Sequence, residues 1–464
     1  MTLIKSISGI RGTIGSFPGE GLTPVDIVKF VSAYSVWLNE NSGQKNPRAV
    51  VGRDARISGT MVNKLVCGTL LGMGINVTDL GMAATPTVEI AVKGEKADGG
   101  IIITASHNPG KWNALKLLNR SGEFISDDEG KRLLDVAEKG MFEYATASGL
   151  GKYKTDSSYN KIHINSILDL PLVNTKAIKK AKFRIAVDCV NSVGGLIIPD
   201  LLNELGVAKV IRLHCDPTGR FPHNPEPLPE HLEKLSETVV KEKADLGFAV
   251  DPDVDRLAII NEDGTMFGEE YTLVAVADYV LKHKKGNTVS NLSSTRALKD
   301  VTLKRGGKHT ASAVGEVNVV ETMKNTGAVI GGEGNGGVIY PELHYGRDAL
   351  VGIALFLSHL AKTGKSSSHL RSSYPDYFMS KNKILLKPHV NTDQLFSSIK
   401  NEYKDFAIND SDGIRIDFDN GWVHLRKSNT EPVIRIYTES SSKEAADDLA
   451  RKVITLINKM VKKT

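Results

Sequence analysis

The chain has 464 residues, of which 59 are Lys or Arg and 54 are Asp or Glu, so its formal net charge is +5. With 41% hydrophobic and 24% charged residues, the composition is that of a globular protein and excludes a wholly disordered or fibrous chain. The length predicts about three or four domains, and the mild basic excess suits a cleft that binds anions without indicating a nucleic-acid partner.

The three cysteines, Cys67, Cys189 and Cys215, are too few for a disulfide framework, and no two of them have the C-x-x-C spacing. A reducing, cytoplasmic location is therefore expected. The first residues lack the apolar run of a signal peptide. The most apolar stretch, residues 65–75, is broken by glycine and is much shorter than the ~18 residues of a membrane span. We expect a soluble protein that has no membrane partner.

A repeated pattern occupies the first three quarters of the chain. A short apolar run ends in a polar residue or glycine and is followed by a helical pattern, and such runs lead into Gly52, Thr104, Asp188, Asp251 and Gly331. Continuous apolar strands that alternate with helices indicate parallel sheets covered on both faces, in which ligands bind beyond the carboxyl ends of the strands. Each of these strand ends is therefore a candidate wall of a binding site.

Helix and loop signals fill the spaces between these runs. Thr23 followed by Pro24 is typical of a helix start, and residues 58–71 and 127–138 also carry helical patterns. Low hydrophobicity predicts linkers or long loops near 147–160, 216–230 and 362–376. Five prolines between positions 217 and 229 exclude a helix from the second of these stretches.

The C-terminal part of the chain has a different pattern. Alternating apolar residues at 414–418, 421–425 and 433–437 predict antiparallel hairpins, followed by a helix over 442–461. The sequence therefore predicts an α/β fold: three α/β domains with mixed, mostly parallel sheets, and a smaller C-terminal α+β domain. The predicted domains are 1–148, 149–260, 261–372 and 373–464.

The first motif with chemical potential is Thr-Ala-Ser-His-Asn-Pro-Gly at residues 104–110. It follows a buried strand, and a turn of this composition exposes a hydroxyl and several backbone N–H groups that can hold a phosphate. Ser106 and His107 supply the chemistry. Taken alone, the motif is equally compatible with an ordinary turn that contains a structural histidine. The absence of G-x-S-x-G argues against a serine hydrolase.

The second motif places Asp251, Asp253 and Asp255 at alternate positions after another buried strand. Three carboxylates arranged in this way can converge on one hard cation such as Mg²⁺. An EF-hand is a weaker alternative, because Glu262 falls at loop position 12 but Arg256 stands where position 6 requires glycine. A solvated acidic turn is the other alternative, which the mutual repulsion of the three charges disfavours.

Two further loops are rich in groups that bind sugars or phosphates. Residues 331–337 place Glu333 and Asn335 among five glycines, where a carboxylate and an amide suit sugar hydroxyls. Residues 426–432, R-K-S-N-T-E-P, combine Arg426 with hydroxyls and an amide between two strands, and Arg435 follows, a composition suited to gripping phosphate. Taken alone, a flexible loop and an exposed hairpin turn explain these segments equally well.

The four motifs follow one another as T-A-S-H-N-P, D-P-D-V-D-R, G-E-G-N-G-G and R-K-S-N-T-E-P. In order and spacing they resemble the α-D-phosphohexomutase superfamily of phosphoglucomutases, phosphomannomutases and phosphoglucosamine mutases, over the full length of the chain. The resemblance implies four domains around a central cleft, which in chain order carry a phosphoserine, bind a metal, recognise the sugar and bind phosphate. It also implies an enzyme that interconverts hexose 6-phosphate and hexose 1-phosphate through a hexose 1,6-bisphosphate, which serves as activator.

The resemblance implies a role for each motif. Ser106 matches the serine that becomes phosphoserine, and a phosphoserine oxygen together with Asp251, Asp253 and Asp255 matches the Mg²⁺ ligands. Lys116 matches the general acid/base for the sugar hydroxyl, a role that would need a lowered pKa. Three further residues match catalytic residues that lie next to the phosphoserine: His107, Arg11 and Arg256. The implied residues for binding the sugar and its distal phosphate are Glu333, Asn335, Arg426, Ser428, Asn429, Thr430 and Arg435.

The sequence departs from the family pattern in the sugar loop. Many members have Ser-Gly-His where this chain has Asn335-Gly336-Gly337, so the loop histidine is missing and His344 is only a guessed substitute. Ala114 also replaces the usual glycine of the N-G-x-K segment. The E-x-N-G-G variant resembles members grouped with phosphoglucosamine mutases or with broad phosphomannomutase/phosphoglucomutases. We favour conversion of glucosamine 6-phosphate to glucosamine 1-phosphate over the broad specificity.

Two other functions compete with a mutase. A phosphatase would use the same phosphoserine with water as acceptor, and would release inorganic phosphate. A non-catalytic sugar-phosphate-binding protein would require the loss of the serine, the acidic triplet or the phosphate loop, and all three are present. The expected partner is a small sugar phosphate bound by a monomer or homodimer. Basic stretches such as 176–184 lack interleaved aromatic residues, so nucleic acid is not an expected partner.

Overall fold

The structure is a computed structural model that describes residues 2–6, 9–386, 391–427 and 433–461. The described residues form four separate sheets, of seven, four, four and five strands. Helices pack against each sheet, so the predicted architecture of three α/β domains and a C-terminal α+β domain is confirmed. Below, each domain is named by the order of its sheet in the chain.

The first domain has a mixed sheet. Its elements are β1 (Ile4–Ser6), β2 (Gly9–Thr13), α1 (Pro24–Ser42), β3 (Arg48–Arg53), α2 (Gly59–Gly72), β4 (Asn76–Met82), α3 (Thr85–Gly94), β5 (Gly99–Ile103), β6 (Trp112–Asn119), α4 (Asp127–Lys139) and β7 (Tyr153–Thr155). The strand order is β1-β2-β6-β5-β3-β4-β7, and β5, β3, β4 and β7 run parallel. Strand β7 lies beyond residue 148, so the beginning of the stretch assigned to the second domain contributes an edge strand to the first sheet.

The start of α1 shows why these elements form where the sequence predicts them. Thr23 is extended and caps the helix, with its backbone N–H donating to the Asp26 carboxylate at 3.1 Å, and Pro24 occupies the first helical turn, where its missing N–H costs nothing. The capping box and proline fix the entry of the chain into the helix. The predicted helices at 58–71 and 127–138 are also present, within one residue at each end.

The second domain carries the acidic motif. Its elements are α5 (Tyr159–Leu168), α6 (Thr175–Ala181), β8 (Arg184–Asp188), α7 (Gly194–Glu204), β9 (Lys209–Leu213), α8 (Glu233–Lys241), β10 (Leu246–Val250) and β11 (Leu257–Asn261). The strand order is β11-β10-β8-β9, in which β11 is antiparallel to β10 and the others are parallel. The proline-rich stretch 216–230 contains no strand or α-helix, as its composition predicts.

The third domain shares its apolar core with the second. Its elements are α9 (Glu269–His283), β12 (Asn287–Asn291), α10 (Ala297–Lys304), β13 (His309–Ser312), α11 (Glu316–Thr326), β14 (Ala328–Glu333), β15 (Gly337–Ile339), α12 (Ala349–Thr363) and α13 (Ser367–Arg371), with strand order β13-β12-β14-β15. Phe356 on α12 packs edge-on against Phe248 on β10, with ring centroids 6.2 Å apart. One apolar cluster therefore runs through both domains.

The fourth domain is antiparallel. Its elements are β16 (Phe378–Leu385), α14 (Thr392–Glu402), β17 (Ala407–Asn409), β18 (Ile414–Phe418), β19 (Gly421–Lys427), β20 (Val433–Ser440) and α15 (Lys443–Val461), with strand order β16-β20-β19-β18-β17. The predicted hairpins and the final helix are present. Among the helices that the structure describes, none combines the length and the apolar character needed to cross a membrane.

Candidate active site

Ser106 lies on a tight turn immediately beyond β5, where the carboxyl end of a parallel strand opens towards the other domains. Its backbone is in the left-handed region, with φ of 48°, and its side chain is only 7% exposed. The Ser106 backbone N–H donates to Thr104 Oγ1 at 2.9 Å. A non-glycine residue held at positive φ is locally unfavourable, so neighbouring groups must fix the turn.

Arg56, which the sequence analysis did not single out, provides that fixation. Its buried guanidinium donates to the backbone oxygens of residues in the serine turn: Ser106 (2.5 Å), Asn108 (2.6 Å), Pro109 (2.8 Å) and Trp112 (3.0 Å). Arg56 Nε also pairs with Asp54 Oδ2 at 2.9 Å, and Asp54 Oδ2 accepts a hydrogen bond from Thr104 Oγ1 at 2.7 Å. One planar cation thus ties the end of β3 to the whole turn.

The acidic motif forms the loop between β10 and β11, and its three aspartates are completely buried. The backbone N–H groups of Asp255 and Arg256 both donate to Asp251 Oδ1 at 3.1 Å. Burial excludes the solvated acidic turn, and β11 begins at Leu257, where an EF-hand loop would still be binding its ion. The Ser106 hydroxyl donates to Asp251 Oδ2 at 2.7 Å, which brings the first and second motifs together.

The three aspartates fit a divalent metal ion. One oxygen from each lies within 4.8 Å of the others, and buried Asp253 Oδ1 and Asp255 Oδ1 have no hydrogen-bond partner among the described residues. Burial, together with the charges of Asp255 and Asp253, raises the pKa of Asp251 well above its usual range. Oxygen ligands of this kind suit Mg²⁺, and the two unpartnered oxygens are available to such an ion.

Lys116 on β6 reaches the same aspartates. Its Nζ lies 2.7 Å from Asp253 Oδ2 and 3.3 Å from Asp255 Oδ2. Burial opposes the ammonium charge, but these two carboxylates outweigh it and raise the pKa of Lys116 above its ordinary value. The expected lowered pKa is therefore wrong for this arrangement, because the surroundings of Lys116 are anionic. Lys116 is therefore held in its ammonium form.

His107 belongs to the serine turn, and the charges of Arg256 and Arg11 act on it. Arg256 Nη1 lies 3.4 Å from Glu226 Oε1, and His107 Nδ1 lies 3.4 Å from Ser106 Oγ. Burial and the nearby Arg256 lower the pKa of His107 well below its usual range, so its imidazole is neutral. The same two causes lower the pKa of Arg11, which lies on β2 opposite Ala114. The guanidinium groups of Arg256 and Arg11 are positive charges near His107, and positive charge here suits an anionic ligand.

The glycine-rich loop meets the acidic loop through Arg347, a residue that the sequence analysis missed. Glu333 Oε2 accepts from Arg347 Nη1 at 3.0 Å, and Glu333 Oε1 accepts from Asn291 Nδ2 at 2.8 Å. Arg347 Nη2 donates to Asp255 Oδ2 at 2.8 Å. Asn335 is half-buried, and its Oδ1 accepts from the Gly337 N–H at 3.2 Å.

His344 is not placed to replace the missing loop histidine. It is 5% exposed, and its ring lies between Glu89 Oε2 and Asp348 Oδ2, at 3.2 Å from each. Asp348 also lies 2.9 Å from His163 Nε2. The guess from the sequence is therefore wrong, because His344 belongs to a buried polar chain between domains and both ring nitrogens face carboxylates.

Arg426 and Arg435 lie directly opposite each other on β19 and β20 of the fourth domain. Arg426 Nη1 is 3.9 Å from Asp412 Oδ2, and both arginines are half-buried. Like charges at directly opposed positions of a sheet repel, so an anion between them would be stabilising. The other three predicted phosphate-binding residues, Ser428, Asn429 and Thr430, lie outside the described residues.

Comparison with known proteins identifies the family. Models described as phosphoglucomutase/phosphomannomutase alpha/beta/alpha domains I, II and III match residues 3–144, 161–264 and 268–377, and the model of the C-terminal domain matches 388–456. A phosphoglucomutase/phosphomannomutase of Thermococcus kodakarensis is 35% identical over 460 residues, which cover 98% of each chain.

Other relatives carry different names. A protein of Methanopyrus kandleri named "Probable phosphoglucosamine mutase" is 32% identical over 460 residues, covering 98% of this chain and 97% of the relative. The crystal structure of a phosphoglucomutase/phosphomannomutase family protein from Burkholderia thailandensis matches with a TM-score of 0.85 at 26% identity, covering 99% of this chain and 98% of that one. The chain therefore belongs to the phosphoglucomutase/phosphomannomutase family of the α-D-phosphohexomutase superfamily, and it is a phosphohexomutase, an isomerase that transfers a phosphoryl group within its substrate.

Proposed function

We propose that this phosphohexomutase converts glucosamine 6-phosphate to glucosamine 1-phosphate through a phosphorylated Ser106. The observation that carries the phosphoryl-transfer role is the 2.7 Å contact between the Ser106 hydroxyl and Asp251, one of three buried aspartates suited to a metal. The choice of sugar rests on the Glu333-to-Gly337 loop variant and on a relative named as a phosphoglucosamine mutase. A broad phosphomannomutase/phosphoglucomutase is the alternative, supported by the name of the Thermococcus relative.

The reaction is two phosphoryl transfers in opposite directions. In the first, the bond between phosphorus and Ser106 Oγ breaks while a bond forms to the free sugar hydroxyl, which gives a hexose 1,6-bisphosphate. In this step the sugar hydroxyl gives up one proton and Ser106 Oγ gains one. The second step reverses both changes at the other sugar oxygen, so no net proton is taken up or released. In the second, the other phosphoryl group passes to Ser106 Oγ, so the sugar leaves with its phosphate moved and the enzyme regains its phosphoserine. A hexose 1,6-bisphosphate supplied from solution loads Ser106 at the start.

The chain's own residues position and protonate the reacting groups. Arg56 holds the backbone of the serine turn, so the reactive oxygen points at Asp251 rather than at solvent. Lys116, held protonated by Asp253 and Asp255, is the proton donor on the reacting side. Mg²⁺, held by the three aspartates and an oxygen on Ser106, would neutralise charge on the transferring phosphoryl group when bound.

The half-buried arginines of the fourth domain bind the phosphate that is not reacting. Arg426 and Arg435 present two guanidinium groups from adjacent strands, and Ser428, Asn429 and Thr430, which lie between them in the sequence, add hydroxyls and an amide. Bidentate contacts from guanidinium suit a phosphate dianion. Because the distal phosphate sits at C6 in one half-reaction and at C1 in the other, a single anchor serves both orientations of the sugar.

An assay across three hexoses tests this proposal. Purified enzyme with Mg²⁺ and a catalytic amount of the matching 1,6-bisphosphate is offered glucosamine, glucose and mannose phosphates. We expect the highest kcat/KM with glucosamine phosphate, and stimulation by the bisphosphate. A higher kcat/KM with mannose or glucose phosphate would favour the broad-specificity alternative. Stoichiometric release of inorganic phosphate without isomerisation would instead identify a phosphatase.

A further inference from the structure

We propose that Arg347 is a positioning residue that couples the glycine-rich sugar loop to the metal loop, and that Gly337 lacks a side chain because the stem of Arg347 occupies its space. The proposal deepens the assignment of these loops to substrate and metal, and rests on it. The sugar loop means residues 333–337, and the metal loop means residues 251–256.

Arg347 is surrounded by carboxylates from separate elements. Its side chain is 10% exposed, with Nε 2.9 Å from Glu316 Oε2, Nη1 3.0 Å from Glu333 Oε2 and Nη2 2.8 Å from Asp255 Oδ2. Its backbone N–H donates to Glu316 Oε1 at 3.0 Å. All three nitrogens of the guanidinium are thus engaged, and the group is fixed in one orientation.

The backbone joins the two loops at the same place. The Leu257 N–H, which follows the metal loop, donates to the Gly336 carbonyl of the sugar loop at 3.1 Å. The Ala349 N–H, two residues after Arg347, donates to the Val254 carbonyl at 3.2 Å. The segment from the sugar loop to the start of α12 is therefore hydrogen-bonded to the metal loop and to the residue that follows it. Arg347 adds an ion pair to Asp255 between these two backbone contacts.

The stem of Arg347 explains the glycine at position 337. A Cβ atom built on Gly337 would lie 2.3 Å from Arg347 Cδ and 3.0 Å from Arg347 Cγ. These carbons lie in the middle of a side chain whose guanidinium is held by three carboxylates. Moving them aside would therefore cost free energy, because it would break those contacts. A side chain at 337 and an arginine at 347 exclude each other. Arg347 therefore fills the space that a side chain at position 337 would enter.

Arg347 binds one carboxylate oxygen of Asp255 and one of Glu333, and this choice determines which oxygens remain available for ligands. On Asp255 it engages Oδ2, which leaves the buried Oδ1 without a hydrogen-bond partner among the described residues and available to a metal ion. On Glu333 it engages Oε2, which accepts that one hydrogen bond in the described part of the chain and has capacity for a sugar hydroxyl. Displacement of Arg347 would therefore alter a metal ligand and a sugar ligand together.

The first experiment measures Mg²⁺ binding by calorimetry on dephosphorylated wild type, Arg347→Lys and Arg347→Met. Partners that orient metal ligands typically change metal affinity by about 10–100-fold, so we expect at least a roughly tenfold loss in Arg347→Met and a smaller loss in Arg347→Lys. The dissociation constant of glucosamine 6-phosphate should rise in parallel. Wild-type Mg²⁺ affinity in a folded Arg347→Met protein would overturn the proposal.

The second experiment tests the steric claim and needs no binding. Gly337→Ala is compared in the wild-type and Arg347→Ala backgrounds by thermal unfolding. We expect a clear loss of melting temperature in the wild-type background and a smaller one in the Arg347→Ala background, because the colliding stem is gone. Gly68→Ala, with open space around the added Cβ, is the matched control and should cost little. Equal losses in both backgrounds would refute the exclusion.

The two experiments are independent of the sugar assignment. Neither Mg²⁺ binding nor unfolding requires turnover, so a failure of the glucosamine proposal in the activity assay leaves them interpretable. Conversely, unchanged Mg²⁺ affinity in Arg347→Met would reject the positioning role even if the enzyme isomerises glucosamine phosphates.

Discussion

Thr85 of the first domain and Asp253 of the second share two hydrogen bonds: Thr85 Oγ1 donates to Asp253 Oδ2 at 2.6 Å, and the Thr85 backbone N–H donates to the Asp253 carbonyl at 2.9 Å. Thr85 begins α3, so the first turn of this helix supports the acidic loop. Together with the Ser106–Asp251 contact, these hydrogen bonds fix two of the three aspartates of the acidic loop against the domain that carries Ser106.

Replacing Thr85 with valine should destabilise the protein. The change keeps the shape of the side chain but removes the donor to a buried carboxylate oxygen, and a lost partner of this kind costs about 1–3 kcal/mol of unfolding free energy. Urea denaturation of Thr85→Val measures the cost, with Thr85→Ser as the control that retains the hydroxyl. Wild-type stability in Thr85→Val would show that this hydrogen bond does not contribute to the unfolding free energy.

Replacing Ser106 with alanine should abolish most turnover and leave the protein without a phosphoryl group. Substrate affinity should stay within roughly tenfold, because one neutral hydrogen bond contributes about 0.5–1.5 kcal/mol. Intact-mass analysis after incubation with hexose 1,6-bisphosphate checks the phosphoryl group, and Ser121→Ala, at an exposed position, is the control. A wild-type rate in Ser106→Ala would remove Ser106 from the mechanism.

Replacing Arg56 with methionine should affect both stability and rate. Breaking a fully buried ion pair leaves Asp54 uncompensated, which costs about 3–5 kcal/mol of unfolding free energy. Release of the serine turn should lower kcat by roughly a hundredfold, the effect of a misplacement near 1 Å.

A double variant separates the two effects of Arg56. In Asp54→Asn/Arg56→Met no charge is left unpaired by the change, so we expect part of the stability to return while kcat stays low. Recovery of kcat along with stability would mean that the guanidinium acts on the fold alone and does not position Ser106.

Replacing Arg426 with alanine should weaken the binding of both hexose 6-phosphate and hexose 1-phosphate. Loss of a hydrogen bond to a charged group costs about 1.5–3 kcal/mol, and the shared anchor predicts a similar loss for the two isomers. Equilibrium dissociation constants measured with inactive Ser106→Ala protein check this, with Lys404→Ala, at an exposed lysine of the same domain outside the motif, as control. A loss confined to one isomer would contradict a common anchor for the distal phosphate.

The buried chain around His344 predicts that stability falls as the pH rises. Burial alone would lower the pKa of His344, but the hydrogen bond with Asp348 and the adjacent carboxyl group of Glu89 raise it to about 10. A folded pKa above the ordinary value near 6.5 means that the imidazolium stabilises fully below about pH 6.5, and that this contribution disappears as the pH passes through about 10. Burial also raises the pKa of Glu89 to about 8, which adds to the same trend.

Unfolding free energies measured from pH 6.5 to 10 test this prediction. His344→Gln should show a shallower decline than the wild type, because the titrating imidazole is gone. His369→Gln, at an exposed histidine, should keep the wild-type slope. If His344→Gln declines as steeply as the wild type, His344 is not the group that loses its proton in this range.

The sequence predicts the parts of the site that depend on local signals. Ser106 and Asp251 each follow a continuous apolar strand, and the carboxyl ends of parallel strands are where ligands bind, so each is predictable as part of a binding site. The two strands belong to different sheets, so only the family resemblance implied that the two residues lie close together. The helix cap at Thr23 and the strands predicted from alternating apolar residues after position 414 also depend only on residues that are neighbours in the sequence. For the same reason, the acidic motif could be separated from an EF-hand by its lack of glycine at position 256.

The supporting residues were not predictable in this way. Arg56 binds carbonyl groups 50–56 residues away, Arg347 meets Asp255 across 92 residues, and Thr85 meets Asp253 across 168. Their partners are set by how the domains pack. The one available signal for Arg56 is its place in the polar run that follows β3, beside the strand that leads to Ser106.

The electrostatic state of Lys116 and the place of His344 show the same limit. A lysine in a phosphate-binding cleft suggests cationic surroundings and a lowered pKa, but Lys116 faces Asp253 and Asp255 across the domain boundary. His344 lies close in sequence to the sugar loop, yet its ring faces carboxylates of a buried chain. Proximity along the chain does not determine which way a side chain points.

The apolar cluster shared by the second and third domains restricts how such an enzyme can be recombined. Phe248 and Phe356 pack together although they belong to different sheets. In a chimera that joins the second domain of one mutase to the third of another, the two surfaces would have to be complementary at this aromatic contact. A mismatch would leave a cavity or a steric clash in the shared core. When domains are exchanged between related mutases, the second and third domains should therefore be transferred together.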